Sequence, residues 1–436
     1  MEQAIGIAVL VVGLLISIGL HEVGHMVPAK RFGVRVSEYF VGFGPTLWSR
    51  HGKETEYGLK AIPLGGYVRL VGMVPPEDAV RPVRGSGRLA RLIADSRASS
   101  VDEIRDGEDN RAFYHLAWWK KVVVMLGGPF VNLVLAILLF SAVLVGIGTP
   151  GPTTTVAAVA DCVPVAGASA CATGDPASPA ALAGLQAGDT VTSVNGQAVG
   201  EWAEVTSIVA ANAGTPVVLG IDRGGSALEV TVAPASYDRP VYDDQGKAVV
   251  GADGKVATET VGYLGVYSQQ ELQHQGFTSG ASLTWVYFTK TVAVVVNLPN
   301  EVYHVARAAL GFEERSSNSI IGVVGVGRIA GDVASAQVQG YTLIQKVGDM
   351  LMLLGGLNLA LFVFNLIPLV PLDGGHVASA FWQAIKNGYA RVRGWTVPAP
   401  VDVARMMPLA YGVFGILLVM GLVLIYADIV APVTIG

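Results

Sequence analysis

The sequence predicts a polytopic α-helical membrane protein: four transmembrane helices, a strand-rich loop after the first, and a mixed α/β domain inserted between the second and third. Three observations lead there. Of 436 residues, 52% are hydrophobic and only 14% charged, with a mean hydropathy of +0.51; a soluble globular chain carries roughly 25% charge. Four stretches, 5–20, 122–147, 350–369 and 409–430, approach the about 20 mostly apolar residues that a helix needs to cross hydrocarbon. Between the second and third lies a long segment richer in Gly, Ala, Thr, Asp and Val, with turn signals. The net charge of −5 and the lack of a basic, aromatic-interleaved run argue against nucleic-acid binding.

The first helix, within 1–31, runs apolar into "HEVGH". It does not read as a signal peptide, because Met1-Glu2-Gln3 lacks a basic start and no small-residue cleavage site follows. The second helix occupies 120–147, the third 346–376 and the fourth 405–432. Residues 283–298 are apolar but interrupted by Lys290; they read as a surface-lying or partly buried segment. Lys30, Arg31 and Arg35 follow the first helix. Lys120 and Lys121 precede the second, and Lys386, Arg391, Arg393 and Arg405 separate the third from the fourth. Positive residues mark the cytoplasmic side, so both termini and the inserted segment are expected outside.

The loop 32–75 has strand-like runs at 39–41, 56–62 and 66–71, separated by glycines and prolines. Residues 76–119 read as a cytoplasmic loop, charged and turn-like through 112. In the inserted segment, Gly188-Asp189 reads as a turn before a strand at 190–194, and Asn195-Gly196 fits a two-residue hairpin. A helix is expected from Trp202, then a strand pair split by "DRGGS". The polar stretch 242–260 reads as a surface hairpin or flexible loop. Cys162 and Cys171 lie close together in what would be an oxidising compartment, and a structural disulfide is expected.

The chemistry sits in "HEVGH". On a helix, His21 and His25 share one face and can chelate one Zn²⁺, while Glu22 between them can act as general base toward the hydrolytic water. Ionisable groups inside a span are costly and mark function; His25 and His21 lie roughly 8 and 14 Å inward of Lys30 at the helical rise. Catalytic zinc takes three protein ligands and keeps one position open. His51, His115, His274 and His304 are loop or outside residues. The better third ligand is Asp373 in "NLIPLVPLDGGHV", where Pro368 and Pro371 unwind the third helix and Gly374-Gly375 permit close approach. His376 is the competitor.

The segment 178–199, "SPAALAGLQAGDTVTSVNGQAV", resembles the PDZ domains of bacterial envelope proteases. With it, the HEVGH and NLIPLVPLDGG motifs resemble the site-2 protease family of intramembrane zinc metalloproteases, in an actinobacterial-like form of the regulator-of-sigma-E branch. The single PDZ departs from branch members that carry two. The resemblance implies a fold of four transmembrane helices, a membrane-re-entrant β-hairpin or sheet at 32–75, an extracytoplasmic PDZ domain at 148–236, a post-PDZ region with membrane-associated helices at 237–345, and a cytoplasmic loop at 377–404. It implies one Zn²⁺ per chain on His21, His25 and Asp373, with Glu22 catalytic. Substrate contacts fall to Asn365, to Gly65, Gly66 and Tyr67 in "EYGLKAIPLGGYVRL", and to Asn132 in "GGPFVN", where helix packing explains Gly127 and Asn132 equally well. Expected partners are single-span membrane proteins such as anti-sigma factors, signal-peptide remnants and the lipid bilayer; the expected location is the bacterial inner membrane. A zinc transporter would need polar groups continuing through the other spans, where the sequence offers only Asn132, Ser141, Tyr411 and Tyr426. A catalytically dead scaffold would not need Glu22.

Overall fold

The computed structural model describes residues 1–80, 87–105, 107–164, 171–172, 174–242, 248–251, 255–316, 319–337, 341–396 and 398–433. The chain begins with α1 (Glu2–Arg31), β1 (Val36–His51), β2 (Glu56–Leu70), α2 (Arg88–Val101) and α3 (Trp118–Ser141). Then come β3 (Thr149–Val159), α4 (Pro179–Leu182), β4 (Thr190–Val194), β5 (Gln197–Ala198), α5 (Trp202–Ala211), β6 (Val217–Arg223), β7 (Ser226–Val232), β8 (Ala235–Pro240), β9 (Thr258–Tyr263) and β10 (Val266–Gln273). It closes with α6 (Ser279–Val296), α7 (Leu298–Ala309), α8 (Val323–Ser335), α9 (Leu343–Asn365), α10 (Asp373–Val392) and α11 (Met407–Val430). These elements form two compact units, 1–147 with 275–436, and 148–274.

In the first unit, four helices among the described residues are long and apolar enough to cross a membrane: Glu2–Arg31, Trp118–Ile147, Leu343–Asn365 and Val403–Val430. Their Val and Ile side chains are mediocre helix formers in water, but in lipid the helix is the one way a lone segment satisfies its own backbone. Exposed Ile5, Val9, Val12 and Ile16 give α1 an apolar outer face. Helices α6 and α7 meet at a bend of 74° and count together as a further candidate span. Lys290 does not interrupt α6, which packs on α3 and α9, with Leu283 and Phe288 against Phe140 and Leu359.

The strands β1 and β2 fold back on each other. Residues 36–41 pair with 66–70 on one side and with 56–59 on the other, while 46–51 pair with 56–60. Two bent strands thus make a four-layered ladder with 66–69 along one edge, and that edge pairs with no strand among the described residues. Phe43, Leu47, Trp48, Leu59 and Ile62 are exposed on its far end. The expected turn-like stretch after residue 75 instead contains α2, anchored by the buried Arg97–Asp402 pair at 2.7 Å; residues 81–86 lie outside the described residues.

The second unit is a sheet of order β10-β3-β4-β6-β7, with β5 on β4. Its core is Val191, Val194, Val205, Val209, Val217, Leu219, Ile221 and Val232, the inward positions of alternating strands and one helix face. Asn195 (φ 51°) and Gly196 (φ 79°) form the β4–β5 turn, as a two-residue turn with both φ positive requires. Buried Asp189 accepts from the Arg223 guanidinium at 2.7 Å through both oxygens, which holds its carboxyl below the usual value. Cys162 and Cys171 are disulfide-bonded. The unit runs to His274, with β10 pairing with β3 along its length. In the 242–260 stretch, β9 continues the hairpin with β8; residues 243–247 and 252–254 lie outside the described residues.

Candidate metal centre and cleft

Helix α1 continues unbroken through HEVGH, with Pro28 tolerated in its last turns. His21, Glu22 and His25 are all buried. Helix α3 crosses α1 at this level. A Cβ on Gly24 would lie 2.4 Å from the Gly127 carbonyl oxygen, and one on Gly127 would lie 2.0 Å from that of Gly24, so the two backbones are in contact. A Cβ on Gly128 would lie 2.3 Å from His25 Nε2 and 2.7 Å from His21 Nε2. The GGPFVN stretch therefore packs directly against the imidazoles.

The third partner comes from the end of α9. The helix stops at Asn365, turns through 366–372, and restarts as α10 at Asp373. Asp373 is thus the first residue of a helix rather than part of unwound chain, and that helix runs to Val392 where a loop is expected. Gly374 and Gly375 make the restart possible: a Cβ on either would lie 2.4 Å from the backbone of the turn. Charge at a helix N-terminus also favours a carboxylate there.

His21 Nε2, His25 Nε2 and Asp373 Oδ2 converge. The two nitrogens are 3.2 Å apart, and Oδ2 lies 3.4 Å from His21 and 3.3 Å from His25. Ligands about 2.0–2.1 Å from one tetrahedral centre stand about 3.4 Å from each other. Asp373 Oδ2 is buried with no hydrogen-bond partner, a costly arrangement that a cation would relieve. The Nδ1 atoms point the other way: that of His25 donates to the Val124 carbonyl at 2.8 Å, and that of His21 meets the Asn132 amide at 3.0 Å. These three residues are the metal-type cluster among the described residues, and their two imidazoles and one carboxylate suit zinc.

The cluster opens on a cleft of about 670 Å³ lined by Glu22, Gly65, Gly66, Tyr67, Asn365 and His376, with Leu14 and Ile18 as an apolar floor. Glu22 faces the strand edge; a Cβ on Gly66 would lie 3.2 Å from its Cγ. The Tyr67 hydroxyl donates to Glu38 at 2.8 Å, and burial together with that bond pushes the phenol up to about 12; its side chain is already committed. Of the other histidines, His51, His115 and His304 pair with Glu56, Asp109 and Glu313 at exposed positions. Asn132 is fully buried and touches His21. It also lines the cleft, beside the expected substrate-facing residues.

The family model for "Peptidase family M50" matches residues 9–409. The chain belongs to peptidase family M50, the site-2 protease family. It is 34% identical to a protein named "Zinc metalloprotease Rip1" from Mycobacterium tuberculosis, over 98% of each chain. A namesake from Mycolicibacterium smegmatis is 32% identical over 100% of each. "Zinc metalloprotease RasP" from Oceanobacillus iheyensis is 25% identical over 87% of this chain and 90% of its own. This M50 peptidase is a zinc metalloprotease, and the residues that converge from α1 and α10 fit its metal.

Two features escaped the sequence reading. One is Val124, whose backbone carbonyl orients His25; no side chain signals it. The other is Asp428, an acid within α11 that was obscured by its apolar surroundings. It pairs with Arg315 at 2.9 Å, and its Oδ2 accepts from the Gly322 and Gly325 amides.

Proposed function

We propose that this M50 peptidase hydrolyses peptide bonds of single-span membrane proteins within the bilayer, anti-sigma factors and signal-peptide remnants being the expected substrates in regulated intramembrane proteolysis. The observation that carries this reading is the convergence of Glu22, His21, His25 and Asp373 on one cleft bordered by an unpaired strand edge. A substrate helix hides its carbonyls in its own hydrogen bonds. Once unwound in lipid, its freed groups need partners, and residues 66–69 offer them by strand addition. Glu22 takes the proton of the attacking water and returns it to the leaving amine. Asn365, at the end of α9, contacts the substrate backbone. Bound zinc supplies Lewis-acid polarisation of the scissile carbonyl.

The basic clusters around Lys30, Lys120 and Lys386 support a cleft toward the cytoplasm, with both termini and residues 148–274 outside. The Cys162–Cys171 disulfide supports an oxidising compartment for that unit. Its sheet, its tight β4–β5 turn and helix α5 support a PDZ domain taking extended peptides.

The test is Glu22→Gln in a reconstituted assay with a single-span substrate. Cleavage should fall by about 10²–10⁴-fold, the usual contribution of a general base, with zinc content preserved. Full activity in that variant would overturn the assignment.

A further inference from the structure

We propose that Asn132 is a positioning residue that holds the His21 ring as a metal ligand by accepting its Nδ1 proton. This rests on the zinc-protease reading above.

A neutral imidazole carries one N–H. If Nε2 is to offer its lone pair to a cation, the proton sits on Nδ1, and an acceptor there fixes both tautomer and ring orientation. His25 meets the requirement, because the Val124 carbonyl at 2.8 Å can only accept. At His21 the neighbour is the Asn132 amide, with Nδ2 at 3.0 Å from Nδ1, while Asn132 Oδ1 is buried and has no partner. Amide oxygen and nitrogen share nearly one outline, and turning the group over exchanges them. The turned amide places Oδ1 on the Nδ1 proton and gives the orphaned oxygen a donor. Asn132 is 0% exposed, so no bulk water can substitute as acceptor.

The placement has a cause in the fold. Val124 and Asn132 lie about two turns apart on α3, bracketing the point where Gly24 and Gly127 bring the backbones of α1 and α3 into contact. One helix thus supplies both ligand rings, and the other supplies both acceptors.

The test compares Asn132→Leu with Asn132→Asp in the full chain, reading zinc affinity by chelator competition alongside kcat and KM for a single-span substrate. Leucine is close to isosteric but cannot accept. Zinc affinity should fall about 10–100-fold, the range for loss of such a partner, with kcat reduced and KM unchanged. Aspartate can only accept, so zinc affinity should stay within a few-fold of the parent. The proposal is overturned if Asn132→Leu holds zinc as tightly as the parent, if Asn132→Asp loses zinc to the same extent as leucine, or if the leucine effect lies in KM alone. Failure of the protease reading would look different: Glu22→Gln would cleave normally while these zinc affinities still responded to residue 132.

Discussion

Two aspartates sit in or beside helices apolar enough to cross a membrane, and they are treated in opposite ways. Asp428 is closed off. Its oxygens are shared among the Arg315 guanidinium and the Gly322 and Gly325 amides, and the pair is nearly inaccessible. Asp373 is left incomplete, with one oxygen facing two imidazole nitrogens and no donor of its own. Taking a carboxylate out of water costs several kcal/mol in either place. In the first case the cost is offset within the protein, and the residue ties α11 to the start of α8. In the second it is left to be offset by a cation. A charged residue in a span marks function by default; which function depends on whether the fold has already satisfied it.

That contrast can be broken experimentally. The largest effect should come from Asp428→Asn. Removing one partner of a buried pair strands the other, and the cost is typically 3–5 kcal/mol, measured as thermal unfolding in detergent. The double replacement Asp428→Leu with Arg315→Met should recover most of that loss. Normal stability in the single variant would mean that the pair is not a fastening. Next is Gly128→Ala, which leaves every ligand in place but puts a methyl 2.3 Å from His25 Nε2. Displacement on the order of 1 Å can cost about 10²-fold, so cleavage and bound zinc should both drop, as read by peptide assay and metal analysis. Unchanged values would show that α3 does not press on the rings.

The smallest effect sharpens the comparison from outside the membrane. Asp189 is a third buried acid, and Arg223 holds its carboxyl below the ordinary value. Its stabilisation of the second unit is therefore complete above the unfolded value near about pH 4 and is lost as pH falls through the lowered folded value. Hydrogen exchange at the β4–β6 amides should quicken in that acid window, and in Asp189→Asn it should be fast already at neutral pH by about 1–3 kcal/mol of lost charge-assisted bonding. Exchange indifferent to both changes would contradict the pairing.

Much of this was legible in the sequence, for reasons specific to each part. The HEVGH pattern reads cleanly because helical spacing alone brings His21 and His25 together, and Asp373 because prolines and glycines cluster beside it. The Asn195-Gly196 turn reads from backbone sterics. Helix α10 did not read, since the residues that let it start against the preceding turn, Gly374 and Gly375, are poor helix formers. Helix α2 did not read because its Arg-, Ser- and Ala-rich run shows little apolar periodicity. The role of Asn132 was hidden for a different reason: it depends on a neighbour from α1 that no local pattern announces.

The separation of the ligands along the chain has a consequence in time. His21, Glu22 and His25 enter the membrane with the first helix made, but Asp373 is synthesised only after the entire 148–274 unit has been completed. Until then the nascent protein carries Glu22 and two imidazoles with no Asp373 carboxylate opposite them. Biosynthetic order thus withholds the third member of the cluster until the last third of the chain has arrived.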